Sequence, residues 1–129
     1  MSLIATHPVL GVDYDSALEA ASRGIAVRYD STAPDMGSYC PNSQAIVVRH
    51  GDRSYVRSTV AYQLAHVVLD NPSKADAVEF AASRLIRTDD LEAIASVTDD
   101  RSVWATVLRV RECLLAAYLA LRAGLPVPA

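Results

Sequence analysis

Thr59, Tyr62, His66 and Asp70 recur three or four residues apart in the stretch "TVAYQLAHVVLD". That spacing stacks them along one face of a helix. A helix that works as a zinc hydrolase carries histidine at two positions four apart, with a glutamate after the first as general base. Here the three positions read Tyr62, Gln63 and His66. A phenol with its ordinary pKa of about 10 is protonated at neutral pH and ligates zinc poorly. The Gln63 amide can hydrogen-bond a water but cannot take its proton. Only His66 keeps the motif's chemistry. Read as ordinary helix residues, Tyr62 would bury its ring and show its hydroxyl to a cleft. His66 would then be held by Asp70 or Tyr62, and Gln63 would be a solvated position.

The elements that must hold this helix follow from periodicity. "YDSALEAASRG" predicts a first helix, capped by Asp15 or Ser16, with Leu18 and Ala21 on one face and Gly24 as its stop. "IAVRYD", 25–30, alternates like a strand. Pro34 and Gly37 break the chain. "SYC", a Pro41-Asn42-Ser43 turn and "QAIVVRH" predict two further strands. The helix over 53–70 then puts Val56, Val60, Leu64 and Val67 on one side. "ADAVEFAASRLI" predicts a helix with Val78, Ala81, Ala82 and Leu85 inward. "TDD" occurs twice, at 88–90 and 98–100, and is expected to cap "LEAIASV" and the final helical segment. That last segment is one long helix or two broken near Arg109 to Arg111, and it ends at Gly124 and two prolines, Pro126 and Pro128. The order is helix, strand, strand, strand, helices. It predicts an α+β fold, a small three-stranded antiparallel sheet with helices packed on it, in one domain over 1–129.

Composition narrows the function classes. The chain has 129 residues, 51% hydrophobic but only 6% aromatic, which suits close packing of helices through small side chains. A net charge of −3 argues against a dedicated nucleic-acid binder. "CLLAAYLAL", 113–121, is too short to span a bilayer and reads as a buried helix. "MSLIATHPVLG" has neither a basic start nor a long apolar run, so no signal peptide is expected, and the chain reads as cytoplasmic. Cys40 and Cys113 form no C-x-x-C pair and read as free thiols, with a single disulfide as the alternative. His7 and His50 are isolated and expected to do nothing specific.

From about Gly24 to Leu91 the chain resembles the ImmA/IrrE family of zinc metallopeptidase domains. "STVAYQLAHVVL" stands where that family has a helix of the type "TLAHELGH", with Thr59, Ala61, Leu64 and His66 in register. "DAVEFAASRLI" matches its "EANxFAAxLL" helix through Phe80, Ala81, Ala82 and Leu85, and "RTDDLEAI" follows in place. The resemblance implies a zincin-like core over 24–91, followed by a C-terminal helical segment over 98–124. It implies degenerate metal-ligand positions at Tyr62, His66 and Asp76, a degenerate general-base position at Gln63, and a cleft flanked by Thr59, Glu79 and Cys40. Aspartate at 76 is one methylene shorter than the family's glutamate. It also suits the first turn of a helix, where the dipole favours an anion.

The resemblance leads to an expectation that no metal is held, or zinc if the site retains binding. It implies a catalytically inactive protein that works by protein–protein interaction with a repressor, regulator or toxin, in phage, mobile-element or stress regulation. An active zinc peptidase with atypical ligands (His66, Asp76, and Tyr62 or Glu79) is the second reading. A DNA-associated regulator using the C-terminal helices is the third. There Leu108, Val110, Leu114, Tyr118 and Leu121 are spaced as in helix-turn-helix pairs, and Arg101, Arg109, Arg111 and Arg122 are largely offset by Asp99, Asp100 and Glu112. A helical pair closing the core is the plainer account of that segment.

Overall fold

The computed structural model describes residues 9–33 and 36–125. His7, Pro34, Pro126 and Pro128 lie outside the described residues. A short helical turn at Gly11–Asp13 precedes α1, Ser16–Ser22. Asp15 caps α1 by accepting a hydrogen bond from the Leu18 backbone N–H, and Gly24, at φ +76°, ends it. The buried face differs from the expected one. Leu18 is 68% exposed, and Ser16, Glu19 and Ala20 point inward instead. The cause is polar. Glu19 accepts hydrogen bonds from the Tyr14 hydroxyl at 2.6 Å, from Arg84 Nε at 2.8 Å and from Arg23 Nε at 3.1 Å. A carboxylate with three donors fixes the rotation of a seven-residue helix more firmly than one leucine does.

Three strands follow: β1 Ala26–Tyr29, β2 Gly37–Cys40 and β3 Ala45–Val48. The sheet is mixed rather than antiparallel. Its order is β1-β3-β2, with β1 parallel to β3 and β2 antiparallel to it. Tyr29 and Gly37 both pair with Val48. The chain therefore leaves β1 and enters β2 at the same end, and the connecting segment crosses over the end of β3. Arg49 fastens that segment: its backbone N–H donates to the Met36 carbonyl and its Nε to the Ala33 carbonyl.

The central helix, α2, runs Arg53–Val68 and is capped by Asp52. Val60 and Leu64 are fully buried against Ile46 and Val48 of the sheet, with Val56 and Val67 at the edge of that cluster. Five consecutive residues, Arg57 to Ala61, are buried. So α2 is covered on both sides in its middle, and Ser58 and Ala61 are small enough to let other helices approach there. The second apolar cluster joins Ala61 to α3, Lys74–Leu85, through Val78, Ala81, Ala82 and Leu85, the four residues expected inward.

The first "TDD" does not cap. α4, Thr88–Ala95, begins at Thr88, with Arg87 at its N-cap making no side-chain capping hydrogen bond. Asp89 and Asp90 lie within its first turn, where they complement the dipole. The second "TDD" does cap: Asp100 accepts from the Ser102 N–H at the start of α5, Arg101–Leu108. Arg109 then turns left-handed, at φ 59°, and α6 runs Glu112–Arg122. The final segment is thus two helices. Nothing in the local sequence demands the break, because Arg109 is not a glycine. A neighbour holds it: buried Arg57 donates from Nη1 to the Arg109 carbonyl at 2.6 Å. Its Nε donates to the Tyr14 carbonyl at 3.0 Å, and its Nη2 to the Gly11 carbonyl. Among the described residues Arg57 has no carboxylate partner, and the architecture is α+β, with six α-helices around a three-stranded mixed sheet. Among those residues no helix is long and apolar enough to cross a membrane.

Candidate binding cleft

Thr59, Tyr62 and Gln63 project from one face of α2 into a cavity of about 530 Å³. Met36 and Gly37 of the β2 end, Val78 and Lys74 of α3, and the first turns of α6 close the other sides. Gly37 is required by close approach. A side chain there would collide with Cγ2 of Thr59. With no side chain in the way, the Gln63 Nε2 donates to the Gly37 carbonyl at 3.1 Å. The Gln63 amide is therefore a tie between helix and strand.

Thr59 Oγ1 is buried and makes no hydrogen bond among the described residues. Ser58 Oγ accepts from the Arg111 backbone N–H at 3.1 Å. Burial pushes the Tyr62 phenol up from its usual value, which keeps it protonated. Arg111 lies at the N-cap of α6 and lines the cavity, its guanidinium 4.9 Å from the centre of the Tyr55 ring.

The positions singled out by the motif are not brought to one point. His66 is exposed and does not line this cavity. Its ring is tilted against that of Tyr62 at 5.5 Å, and Nδ1 lies 3.3 Å from the Tyr62 carbonyl oxygen. Asp76 belongs to a capping box at the start of α3: its Oδ2 accepts from the Ser73 N–H at 3.2 Å, and its own N–H donates to Ser73 Oγ at 3.1 Å. It lines a separate cavity of about 480 Å³ with Glu79 and Asp70. Tyr62 and Asp76 thus face different cavities, which corrects the expectation of a shared one. Of the expected cleft residues Thr59 lines the first cavity and Glu79 the second. Cys40 lines neither; it ends β2, half-buried, and pairs in register with Ala45. Both cysteines are free thiols. Among the described residues no three His, Cys, Asp or Glu form a group able to hold a metal ion.

The sequence reading missed the α6 wall: Arg111, Cys113, Leu114 and Ala117. Their apolar spacing marked a core helix, but nothing local says that this helix docks beside Tyr62. The chain matches no family model, and neither a curated protein nor a solved structure is significantly similar to it.

Proposed function

We propose that this chain is a catalytically silent relative of the ImmA/IrrE zinc peptidases that acts as a binding module in phage, mobile-element or stress regulation. The observation that carries the reading is the Gln63 amide bound to the Gly37 carbonyl. At the position where that family has a general base, this chain has a structural tie that cannot accept a proton. The other positions agree. Tyr62 is held protonated by burial, His66 is exposed and turned to a backbone carbonyl, and Asp76 caps its own helix in another cavity. The residues present do not fit zinc: Tyr62, His66 and Asp76 do not meet in one cavity. The zincin-like description of the core rests on element order: helix, strands, then the paired helices α2 and α3. The partner is expected to be a protein, such as a regulator or toxin.

Two measurements test this. Elemental analysis of the protein purified without added metal should find zinc well below one per chain, with no peptidase activity. Co-expression with regulators encoded beside it, followed by gel filtration, should show co-elution. One firmly held zinc per chain would return the reading to an active metalloenzyme.

A further inference from the structure

We propose that the outer edge of β1 accepts an extended segment of another protein as an added antiparallel strand, with a basic residue opposite Asp30 and an acidic residue opposite Arg28. None of the β1 residues lines the cleft described above, so this surface is independent of any kinship with a peptidase.

The first observation is that this edge is open. β1 lies at one side of the sheet and pairs in parallel with β3 alone. Ala26 and Asp30 donate their N–H groups to the Gln44 and Val48 carbonyls. Alternation along the strand then turns the N–H and C=O of Val27 and Tyr29 to the free side, where no described residue pairs with them. The other edge is guarded. Met36 accepts from Arg49 on the β3 side, so the outward positions of β2 are Gly37, Tyr39 and, just past the strand, Pro41. The Gly37 carbonyl is taken by Gln63. Pro41 has no N–H to offer, and its carbonyl accepts from the Gln44 N–H at 3.2 Å. Proteins commonly blunt their edge strands in such ways. β1 carries neither a proline nor a bulge, and Tyr29 is 50% exposed. Its guard is the charge of Arg28, which admits one kind of strand and repels another.

The second observation is that charge pattern. Val27 packs in the cluster with Ile46, so Arg28 and Asp30 lie on the opposite face of the sheet, away from α2. Arg28 makes no side-chain ion pair or hydrogen bond among the described residues. One Asp30 oxygen holds the Thr32 N–H and hydroxyl, at 2.9 and 2.7 Å, which leaves the other for a cation. A strand facing Asp30, Tyr29, Arg28 and Val27 in turn therefore gains from the order basic, apolar, acidic, apolar. A second copy of this chain does not supply it. Setting Val27 against Tyr29 of the other copy pairs both open residues but puts Arg28 against Arg28. Setting Arg28 against Asp30 centres the pair on Tyr29 and leaves Val27 facing Ser31, where the chain has already turned. Setting Val27 against Val27 leaves Tyr29 facing Ile25, whose N–H already goes to the Ala20 carbonyl at 2.9 Å. Strand addition of this kind draws affinity from the main chain and specificity from alternate side chains.

The test follows the Val27 and Tyr29 amides of the whole, isotope-labelled chain by NMR hydrogen exchange. Two isomeric peptides are compared, acetyl-Lys-Val-Glu-Val-Thr-amide and acetyl-Glu-Val-Lys-Val-Thr-amide, which share composition and net charge. The first should slow exchange at both amides at millimolar concentration. The second, with both charge pairs reversed, should bind roughly tenfold more weakly. Arg28→Glu should remove the preference, since each peptide then makes one favourable and one unfavourable pair. Equal binding of the two peptides by wild type, protection at Tyr39 in place of Val27 and Tyr29, or no protection at millimolar peptide would each overturn the proposal. So would slow exchange of both amides before peptide is added: in dilute protein it would mean that the chain itself fills the edge, and on concentration alone that a second copy does. The comparison of isomers needs no variant to fold.

Discussion

The Gln63 side chain reaches from α2 to the backbone of β2 and donates to the Gly37 carbonyl at 3.1 Å. A glutamate there would place a carboxylate against a carbonyl oxygen, two acceptors with no proton between them. Gln63→Glu is therefore expected to destabilise the fold by about 1–3 kcal/mol. Urea unfolding at neutral pH checks it. An unchanged or higher midpoint would mean that the tie contributes nothing, and that the position is as free for catalysis as the motif suggests.

Gly37 and Thr59 form a pair that a double-mutant cycle can isolate. Gly37→Ala drives a methyl into Cγ2 of Thr59, and overpacking of this kind costs about 1–3 kcal/mol. Thr59→Ser removes that Cγ2. In the Thr59→Ser background the cost of Gly37→Ala should fall to a small fraction, and additive losses would show that the two residues do not touch.

Arg57 holds the carbonyls of Gly11, Tyr14 and Arg109 with one guanidinium. Arg57→Met is expected to cost about 3–5 kcal/mol, since three carbonyls lose a charged donor at once and only that of Gly11 keeps another partner, the Tyr14 N–H. Arg57→Lys should recover little, because a single ammonium lacks the planar fork that spans them. Thermal melts give the magnitude. Hydrogen exchange should quicken first at the left-handed turn between α5 and α6.

Glu19 supplies the pH dependence. Burial alone would raise its carboxyl, but hydrogen bonds from Arg84 and Tyr14 outweigh burial and hold it below its usual 4.5. The folded value lies below the unfolded one, so its contribution is full above the unfolded pKa and is lost as pH falls through the folded value. Wild-type stability should drop on acidification below about pH 4.5. Glu19→Gln should be weaker at neutral pH and show a shallower acid slope. Parallel slopes for the two proteins would assign the acid sensitivity to other carboxylates.

How much of this was legible beforehand depended on range. The α2 stripe of Val60 and Leu64, the inward face of α3 and the caps at Asp15 and Asp100 are set by neighbours within a turn or two, and the sequence spacing displays them. The rotation of α1 depends on Arg84, 65 residues from Glu19, so Leu18 misled. The break at Arg109 depends on Arg57, 52 residues away, and so the question of one helix or two stayed open. At the cleft, Thr59 and Tyr62 were legible because they share a helix face, whereas Gln63 was singled out only by the motif's spacing and its tie to Gly37 was not foreseen. The α6 wall was not, since its place is set by packing. Asp76 was assigned to a ligand position by alignment of motifs, while a serine three residues earlier had already claimed its carboxylate.

The crossing of the segment after β1 over the end of β3 also has a kinetic meaning. β2 and β3 are joined by a four-residue turn, Pro41 to Gln44, and such hairpins close within microseconds. β1 can pair only with β3, in parallel, and only by closing the longer loop that reaches around β2's entry. Loop closure of that kind delays pairing. The edge nearer the N-terminus should therefore be the last part of the sheet to form and the first to open. Pulse-labelling exchange should protect the Ala45–Val48 amides that face β2 before those of Ala26–Tyr29, and the reverse order would show that α1 carries β1 into place ahead of the hairpin.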